Sequence, residues 1–452
     1  MESEWPLEKI GNLLEITSSK RIFRADYCES GVPFYRGKEI VELSKGNNIS
    51  TELFISTEKF EEIKGKFGAP KTEDILLTSV GTLGAAYMVK DGDKFYFKDG
   101  NLTWFRNFSE KLFPRFLLLW FRSPIAKRAI DEITIGSTQQ ALTIVSLKSL
   151  ELSLPPLDEQ VRIAHILGTL DDKIELNRQM NATLEAMAQA LFKSWFVDFD
   201  PVIDNALAAG NSIPEPLQAK AEVRAALGDQ RKPLPEAIQK QFPSRFVFSE
   251  EMGWIPEGWE VDNVGNEFDV TMGQSPPGDT YNEMGEGMPF FQGRADFGFR
   301  YPSNRVYCRA PKRLASKGDT LVSVRAPVGD VNMAAEDCCI GRGVSATRHK
   351  SGSLSFTYYS MLQLREHFKV YEAEGTVFGS INQKDFKALP QVKIPNNIVA
   401  KFESYSSGFD GKIELGSVII EDLTKLRDTL LPKLLSGELR IPDAEKLVAD
   451  SV

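Results

Sequence analysis

Cysteine and histidine are scarce: four cysteines (Cys28, Cys308, Cys338, Cys339) and three histidines (His165, His349, His367) in 452 residues. No CxxC pair occurs, which argues against a disulfide framework or a structural zinc site and for a reducing cytoplasm. Three histidines leave little for His-based catalysis, and Cys338-Cys339 reads as a buried strand pair. No run of about 18 apolar residues is present, so no membrane span is expected. The acidic start, Glu2-Ser3-Glu4-Trp5, leads into no apolar h-region, so no signal peptide is expected. Nucleotide chemistry is also missing. There is no GxxxxGK[ST] and no Asn-Pro-Pro-Tyr tetrapeptide of the amino-methyltransferase kind. Gly341-Arg342-Gly343-Val344-Ser345-Ala346 fits GxGxxA, but no acidic residue follows at the spacing a dinucleotide fold needs. Glu62-Ile63-Lys64 fits the E-x-K fragment of many nucleases, but no Pro-Asp pair sits upstream on a strand. Asp198 and Asp200 are close enough to hold a metal, yet they sit at a helix end, where solvation explains them.

What remains is ordinary for a folded protein: 42% hydrophobic and 26% charged. The length predicts two to four domains. Net charge is −9, with 54 basic and 63 acidic side chains. Taken alone, that disfavours nucleic acid. The distribution qualifies it. Residues 1–155 hold 21 of each sign, and residues 156–200 hold 4 basic and 8 acidic. Residues 201–250 hold 6 of each, 251–395 hold 16 and 18, and 396–452 hold 7 and 10. Most of the acid excess therefore lies in two short segments.

The chain repeats itself. Asp171-Asp172-Lys173-Ile174-Glu175-Leu176 returns as Asp410-Gly411-Lys412-Ile413-Glu414-Leu415, an offset of 239. Trp5 to Asn12 matches Trp259 to Asn266, and Pro33-Phe34-Tyr35-Arg36-Gly37 matches Pro289-Phe290-Phe291-Gln292-Gly293. Asp74 to Ser79 matches Asp319 to Val324, with Gly84 falling on Gly329. The matches keep one order, and the offset drifts as loop insertions would make it. The chain is a tandem duplication.

Each half holds a globular part followed by a long helix. Short β-branched or aromatic runs at Asp74–Val80, Lys94–Phe97, Leu102–Arg106 and Thr320–Val324 predict strands of a mixed sheet. Phe113–Ala129 and Phe356–Phe368 predict helices in the same domains. From Asp158 a 4-3 spacing runs through Ile163, Leu167, Leu170, Ile174, Asn177, Asn181, Leu184, Ala188, Leu191 and Trp195, a heptad seam. Adding 239 gives Phe402, Ser406, Phe409, Ile413, Gly416, Ile420, Leu423, Arg427, Leu430 and Leu434, a poorer seam in the same register. Helices of roughly 37 residues run about 55 Å. A small domain cannot cover that length, so the pattern predicts that the two helices pack on each other. Asn177, Asn181 and Gly416 are expected to fix register, and Pro432 is expected to end or kink the second helix near Leu431. Residues 201–250, with Pro201, Pro214, Pro216, Pro233, Pro235 and Pro243, read as a Pro-rich connector with partial structure and no third core.

The second globular part carries Arg294, Arg300, Arg305, Arg309, Lys312, Arg313, Lys317 and Arg325 against Asp296 and Asp319 within residues 289–325. The first carries Lys20, Arg21, Arg24, Arg36 and Lys38 against Asp26 and Glu29 within residues 16–38. Both basic stretches include the matching Pro-Phe-aromatic segment. Composition alone fits equally a solvated basic face over a core. Two equivalent basic surfaces held apart by helices also suit a reader of two DNA half-sites.

The residues resemble a known family. Leu154-Pro155-Pro156-Leu157-Asp158-Glu159-Gln160, followed by Asp172-Lys173-Ile174-Glu175-Leu176-Asn177, is similar to the specificity subunit of type I restriction–modification systems. So are the run from Leu184 to Asp200, ending Ser194-Trp195-Phe196-Val197-Asp198-Phe199-Asp200, and Gly253-Trp254-Ile255-Pro256-Glu257-Gly258-Trp259. Leu430-Leu431-Pro432-Lys433-Leu434-Leu435-Ser436-Gly437-Glu438-Leu439 resembles the end of that family's second helix. The resemblance implies an α/β (α+β) fold: two tandem target recognition domains joined by two long antiparallel coiled-coil helices, with a pseudo-twofold internal repeat. It divides the chain into recognition domain 1 (1–155), a central spacer helix (156–200), the connector (201–250), recognition domain 2 (251–395), a C-terminal spacer helix (396–440) and a tail (441–452). It implies a non-catalytic, cytoplasmic subunit. Each domain reads half of a split DNA target, and the paired helices set the gap and dock methyltransferase subunits. The subunit itself binds no cofactor. S-adenosylmethionine, ATP and Mg serve the methyltransferase and restriction (translocase and nuclease) subunits. At 3.4 Å per base pair, 55 Å of helix corresponds to roughly 16 base pairs as an outer limit.

By side-chain chemistry, the DNA-contacting candidates are Lys20, Arg21, Arg24, Arg36, Thr78, Ser79 and Thr82 in the first half. In the second half they are Gln292, Arg294, Arg300, Arg325, Arg342, Ser380 and Asn382. Arg and Gln pair bidentately with guanine and adenine, while Ser and Thr more often position phosphates. A coiled-coil scaffold without DNA readout, or a degenerate nuclease or methyltransferase, are the alternatives.

Overall fold

A computed structural model describes residues 5–47, 49, 51–136, 140–228, 234–373 and 379–451. The chain divides into two units, Met1–Gln179 with Gly416–Val452, and Met180–Leu415. Each unit therefore holds one globular part and a stretch of each long helix.

In the first unit a four-stranded antiparallel sheet runs in the order Glu15–Thr17, Leu102–Arg106, Ile75–Thr78, Ala86–Met88. A second sheet orders Tyr27–Cys28, Phe54–Ile55, Val32–Tyr35 and Tyr96–Phe97, the last pair parallel. Leu7–Lys9 pairs with Glu151–Ser153 and ties the domain's entry to its exit.

The second unit repeats this plan. Its antiparallel sheet runs Phe268–Met272, Val344–His349, Thr320–Ser323, Val331–Met333. Its other sheet runs Tyr281–Asn282, Tyr307–Cys308, Met288–Phe291, Cys338–Ile340, with Leu314–Ala315 added at one edge. Glu260–Asn263 pairs with Pro390–Lys393 as the matching tie. The parallel pairing Phe34↔Tyr96 becomes Phe290↔Cys339. The duplication read from six-residue matches is thus a duplication of topology. Cys338 and Cys339 lie buried in a strand, as their apolar surroundings suggest.

The expected helix Phe113–Ala129 is two helices, Pro114–Arg122 and Pro124–Ile133. Pro124 disfavours the α conformation at Ser123, whose hydroxyl then caps the next helix by accepting from the Ala126 N–H at 3.1 Å. Phe356–Phe368 likewise divides, into Leu354–Gln363 and Arg365–Ala373. The connector folds into Asp200–Ala209, Glu215–Ala226 and Glu236–Gln239. Its Val202, Ile238 and Phe242 join the core of the second unit. Asp198 is spent on Lys193 and Lys220, and Asp200 on Ser194 and Arg224.

The long helices are Leu157–Phe196 and Asn396–Leu435, 40 residues each. Within the first unit, Ile163, Leu167, Leu170 and Ile174 share a core with Leu423, Leu430 and Leu434, and Ile420 packs against it. Arg427, at a seam position, donates to Asp171 at 2.9 Å and so keeps its charge paired. Within the second unit, Ala188 and Trp195 meet Phe402, with Trp195 and Phe402 rings 6.1 Å apart. Further along, the Asn181 amide donates to the Ile413 carbonyl at 3.4 Å, so the helices run antiparallel there. Leu191 and Phe409 pack against the same core, and Leu184 is half-buried. Asn177 instead donates to Lys173 of its own helix at 2.8 Å. Ser406 is buried and returns its hydroxyl to the Phe402 carbonyl at 2.9 Å, so the small residue costs no unpaired donor. Pro432 does not end the second helix at Leu431, which continues to Leu435. The proline lies in the last turn, where only one helical hydrogen bond is lost.

Candidate nucleic-acid interface

At one end of each globular part, four loops come together through matching backbone hydrogen bonds. In the first unit Lys98 N–H donates to Tyr35 C=O (2.8 Å), Ser79 N–H to Asn101 C=O (2.8 Å) and Leu142 N–H to Ser79 C=O (2.9 Å). In the second, Gly341 donates to Phe291 (2.9 Å), Val324 to Gly343 (2.9 Å) and Ile381 to Val324 (3.0 Å). Arg36 therefore corresponds to Gln292, Val80 to Arg325, and the loop at residues 98–101 to that at 341–343. Antiparallel bridges Val80↔Ala141 and Arg325↔Ser380 complete the match.

The turn after the central strand is built identically. Thr78 accepts from Ala85 N–H at 2.9 Å, and Ser323 accepts from Asp330 N–H at 2.9 Å. Gly84 and Gly329 close the two turns at φ +79° and +88°, a region L side chains avoid. At Gly329 a Cβ would come within 2.7 Å of Phe368, so both strain and space demand glycine there.

This placement sorts the candidates. Arg36, Thr78 and Thr82 line one cleft of about 490 Å³ together with Lys38, Val80 and Asn101. Thr78 is buried, however, and its hydroxyl is used by the turn. Ser79 is also buried, sharing a hydrogen with Thr103 at 2.5 Å. These two hydroxyls shape the loop and are not presented to a ligand. Lys20, Arg21 and Arg24 are exposed. Arg21 donates to Asp99 at 2.8 Å, and the Lys20 ammonium stands 5.0 Å from the Phe67 ring centre.

In the second unit Gln292 and Arg342 meet through Ser275. The Ser275 hydroxyl donates to Gln292 Oε1 at 3.0 Å and accepts from Arg342 N–H at 3.3 Å. Arg325 and Ser380 stand beside each other, both exposed. Arg325 and Arg342 carry no ion pair among the described residues. Arg294 is exposed and paired with Asp330. Asn382 caps the helix Gln383–Ala388, accepting from Asp385 N–H at 2.9 Å.

Arg300 is a correction. It is 1% exposed. Its guanidinium contacts Glu185 and lies 3.0 Å from Asp410 and 2.6 Å from the Tyr359 hydroxyl, with the Tyr358 ring 3.9 Å away. Burial pulls its pKa down, and the surrounding tyrosines and carboxylates more than reverse that. Its charge is consumed inside the protein, so it does not face DNA. Arg next to Phe-Gly-Phe in a basic stretch gave no sign of this, because the acids that capture it lie 115 and 110 residues away.

Sequence reasoning also missed Glu39, Asn101 and Ser275. Glu39 had a signal, its spacing three residues after Arg36 at a helix start. Asn101 and Ser275 had none, since long-range pairing brings them in. Among the described residues, no group of three or more His, Cys, Asp or Glu is placed to hold a metal ion, and no helix is long and apolar enough to cross a membrane.

Comparison with known proteins agrees with this geometry. Residues 2–186 match a family model described as the type I restriction modification DNA specificity domain. The chain is 28% identical to the putative type I restriction enzyme MjaX specificity subunit of Methanocaldococcus jannaschii, over 97% of this chain and 94% of that protein. It is 28% identical to the HindI specificity subunit of Haemophilus influenzae, over 82% of this chain and 87% of that one. The crystal structure of a type I restriction–modification S subunit from M. genitalium has the same fold. Its TM-score is 0.54 at 16% identity, covering 96% of each chain. The same loop-crowned domain is built twice, each copy packed on its own stretch of the two long helices. Over most of its length the chain is similar to specificity subunits of type I restriction–modification systems, and residues 2–186 match the model of their DNA specificity domain.

Proposed function

We infer that this protein is the DNA sequence-specificity subunit of a type I restriction–modification complex, each globular domain reading one half of a bipartite target. One observation carries the reading. The same loop cluster is built twice from the same backbone hydrogen bonds, while the side chains it displays differ: Arg36 against Gln292, Val80 against Arg325, Asp99 against Arg342. Conserved scaffolding with exchanged polar tips suits two domains that read different base sequences by one mode. The exposed cations Lys20, Arg24 and Lys38 in the first domain and Arg325 and Arg342 in the second would meet phosphates and base edges. The paired helices would set the gap and dock methyltransferase subunits, through which restriction subunits join. The relatives are named as specificity subunits, which supports a non-catalytic role. S-adenosylmethionine, ATP and Mg would then be used by those partners.

Co-expression with the cognate methyltransferase, followed by methylation sequencing of the host genome, tests this. The expected result is a stable complex and one split motif methylated in both halves. A stable complex that methylates nothing favours a scaffold, and failure to bind any methyltransferase overturns the reading.

A further inference from the structure

Arg36 and Gln292 occupy one structural position, the first residue beyond the Pro-Phe-aromatic strand. Both stand where that strand delivers the chain into the loop cluster. Neither side chain is left to wander.

Arg36 donates through Nε and Nη2 to the two oxygens of Glu39, at 3.3 and 2.7 Å, and its backbone N–H donates to the same carboxylate at 2.8 Å. Glu39 is 2% exposed. Burial alone would push its carboxyl up, but the hydrogen bonds from Arg36 outweigh that and hold it below the ordinary glutamate range. The carboxylate therefore stays charged and grips one edge of the guanidinium. The other edge, Nη1 with the second hydrogen of Nη2, has no partner among the described residues. Arg36 lines the cleft that Lys38, Thr82 and Asn101 also line. A guanidinium held this way presents two parallel donors, the complement of guanine O6 and N7 in the major groove. The buried carboxylate also neutralises the arginine, which suits orientation more than phosphate attraction.

Gln292 is held differently. Ser275 donates to its Oε1, and Ser275 is itself fixed by the Arg342 N–H. The amide is exposed, with one lone pair of Oε1 and both Nε2 hydrogens available. That acceptor–donor pair complements adenine N6 and N7.

We propose that this position determines specificity in both domains: Arg36, held by Glu39, reads a guanine in one half-site, and Gln292, held by Ser275, reads an adenine in the other. The inference rests on the recognition function proposed above.

The full chain in complex with its methyltransferase subunits is the material for the test, and genome-wide methylation sequencing is the readout. R36A should relax a single G·C position in one half of the motif, by roughly 10- to 100-fold. The other half should be unchanged. R36K keeps the charge and loses the fork, and should give the same relaxation. E39Q should weaken discrimination at that position only, which covers the case in which R36A fails to fold. Q292A should relax one A·T position in the opposite half. A wild-type motif that R36A and R36K leave intact overturns the inference alone, as does full rescue by R36K or a uniform loss at all positions. A wild-type complex with no split motif overturns the recognition reading and this inference with it.

Discussion

A buried charge shows its importance when its partner is removed. Arg300 is enclosed by Glu185, Asp410, Tyr358 and Tyr359. Arg300→Leu would strand two carboxylates, and breaking a buried pair costs about 3–5 kcal/mol. Replacing Arg300, Glu185 and Asp410 together by apolar residues should cost far less, because no charge is then left unpaired. Denaturant unfolding of the two variants against the wild type separates the cases. Equal losses would show that packing, not charge, is what Arg300 supplies. His349 gives the pH counterpart. It is 3% exposed, between the Phe268 and Phe356 rings, with Ser351 2.7 Å from Nδ1. Burial, with Lys350 nearby, lowers its pKa to about 4 from 6.5. The unfolded chain therefore binds a proton that the folded chain refuses between those values, and stability falls as pH drops through 6.5 toward 4. A shift of that size is worth at most roughly 3 kcal/mol. Glu267, 3.7 Å from Nε2 and raised by burial, takes up its own proton in acid and offsets part of the loss. H349Q should flatten the unfolding midpoint between pH 6.5 and 4, and an unchanged slope would assign the acid sensitivity to other groups. Neither environment was legible in the sequence, where Arg300 was one cation among eight and His349 one histidine among three. A side chain's surroundings are set by strands and helices far away in the chain.

Elements were more legible than environments, for a physical reason. Hydrophobic periodicity is local, and the strand Leu102–Arg106 and both long helices stand out from a few neighbouring residues. Breaks were less legible, because a Pro or a cap decides them within one turn. The attachment of each domain to its helix was not legible at all, although its residues lie in recognisable motifs. Gln160 is fully buried; its amide accepts from Phe113 N–H at 2.9 Å and donates to Lys111 and Pro155 carbonyls at 2.8 and 2.9 Å. The helix Pro114–Arg122 thereby starts on a side chain of the spacer helix. In the second unit Glu403 serves the matching helix, accepting from the Leu354, Ser355 and Phe356 N–H groups at 3.0, 3.2 and 3.2 Å. A carboxylate there also meets the positive end of the helix dipole. Gln160→Leu should cost about 1–3 kcal/mol, because it leaves one donor and two carbonyls unsatisfied. Glu403→Gln should cost less, about 0.5–1 kcal/mol, since it keeps an acceptor and loses only the charge. Thermal unfolding checks both, and Glu403→Gln exceeding Gln160→Leu would reverse the assignment of which clamp carries more.

At the scale of the whole molecule, the duplication supports the proposed DNA readout more than the charge arithmetic does. Seven of the nine excess acids lie in the long helices and their flanks, residues 156–200 and 396–452, and the exposed loop-tip cations such as Lys20, Arg24, Arg325 and Arg342 are a small share of the basic side chains. A surface that grips DNA by net charge alone has no need of two copies. One that reads two half-sites does, and the copies are then free to diverge where they touch bases while keeping the sheets and turns that hold the loops. The two units differ in this way. Strand order, the Gly84 and Gly329 turns and the terminal ties are shared, whereas the loop-tip residues are exchanged. Substituting residues 1–155 by the corresponding domain of a relative should therefore change one half of the methylated motif and leave the other half and the gap as they were. The junction at Pro155-Pro156 lies after the tie Leu7–Lys9 with Glu151–Ser153, so both strands of that tie travel together. Gln160 stays with the spacer, and the incoming domain must present a free N–H where Phe113 does. Methylation sequencing of cells carrying the chimaera reads the outcome. A motif altered in both halves would mean that the domains do not read independently, and an altered gap would place the spacing determinant within the domain instead of the helices.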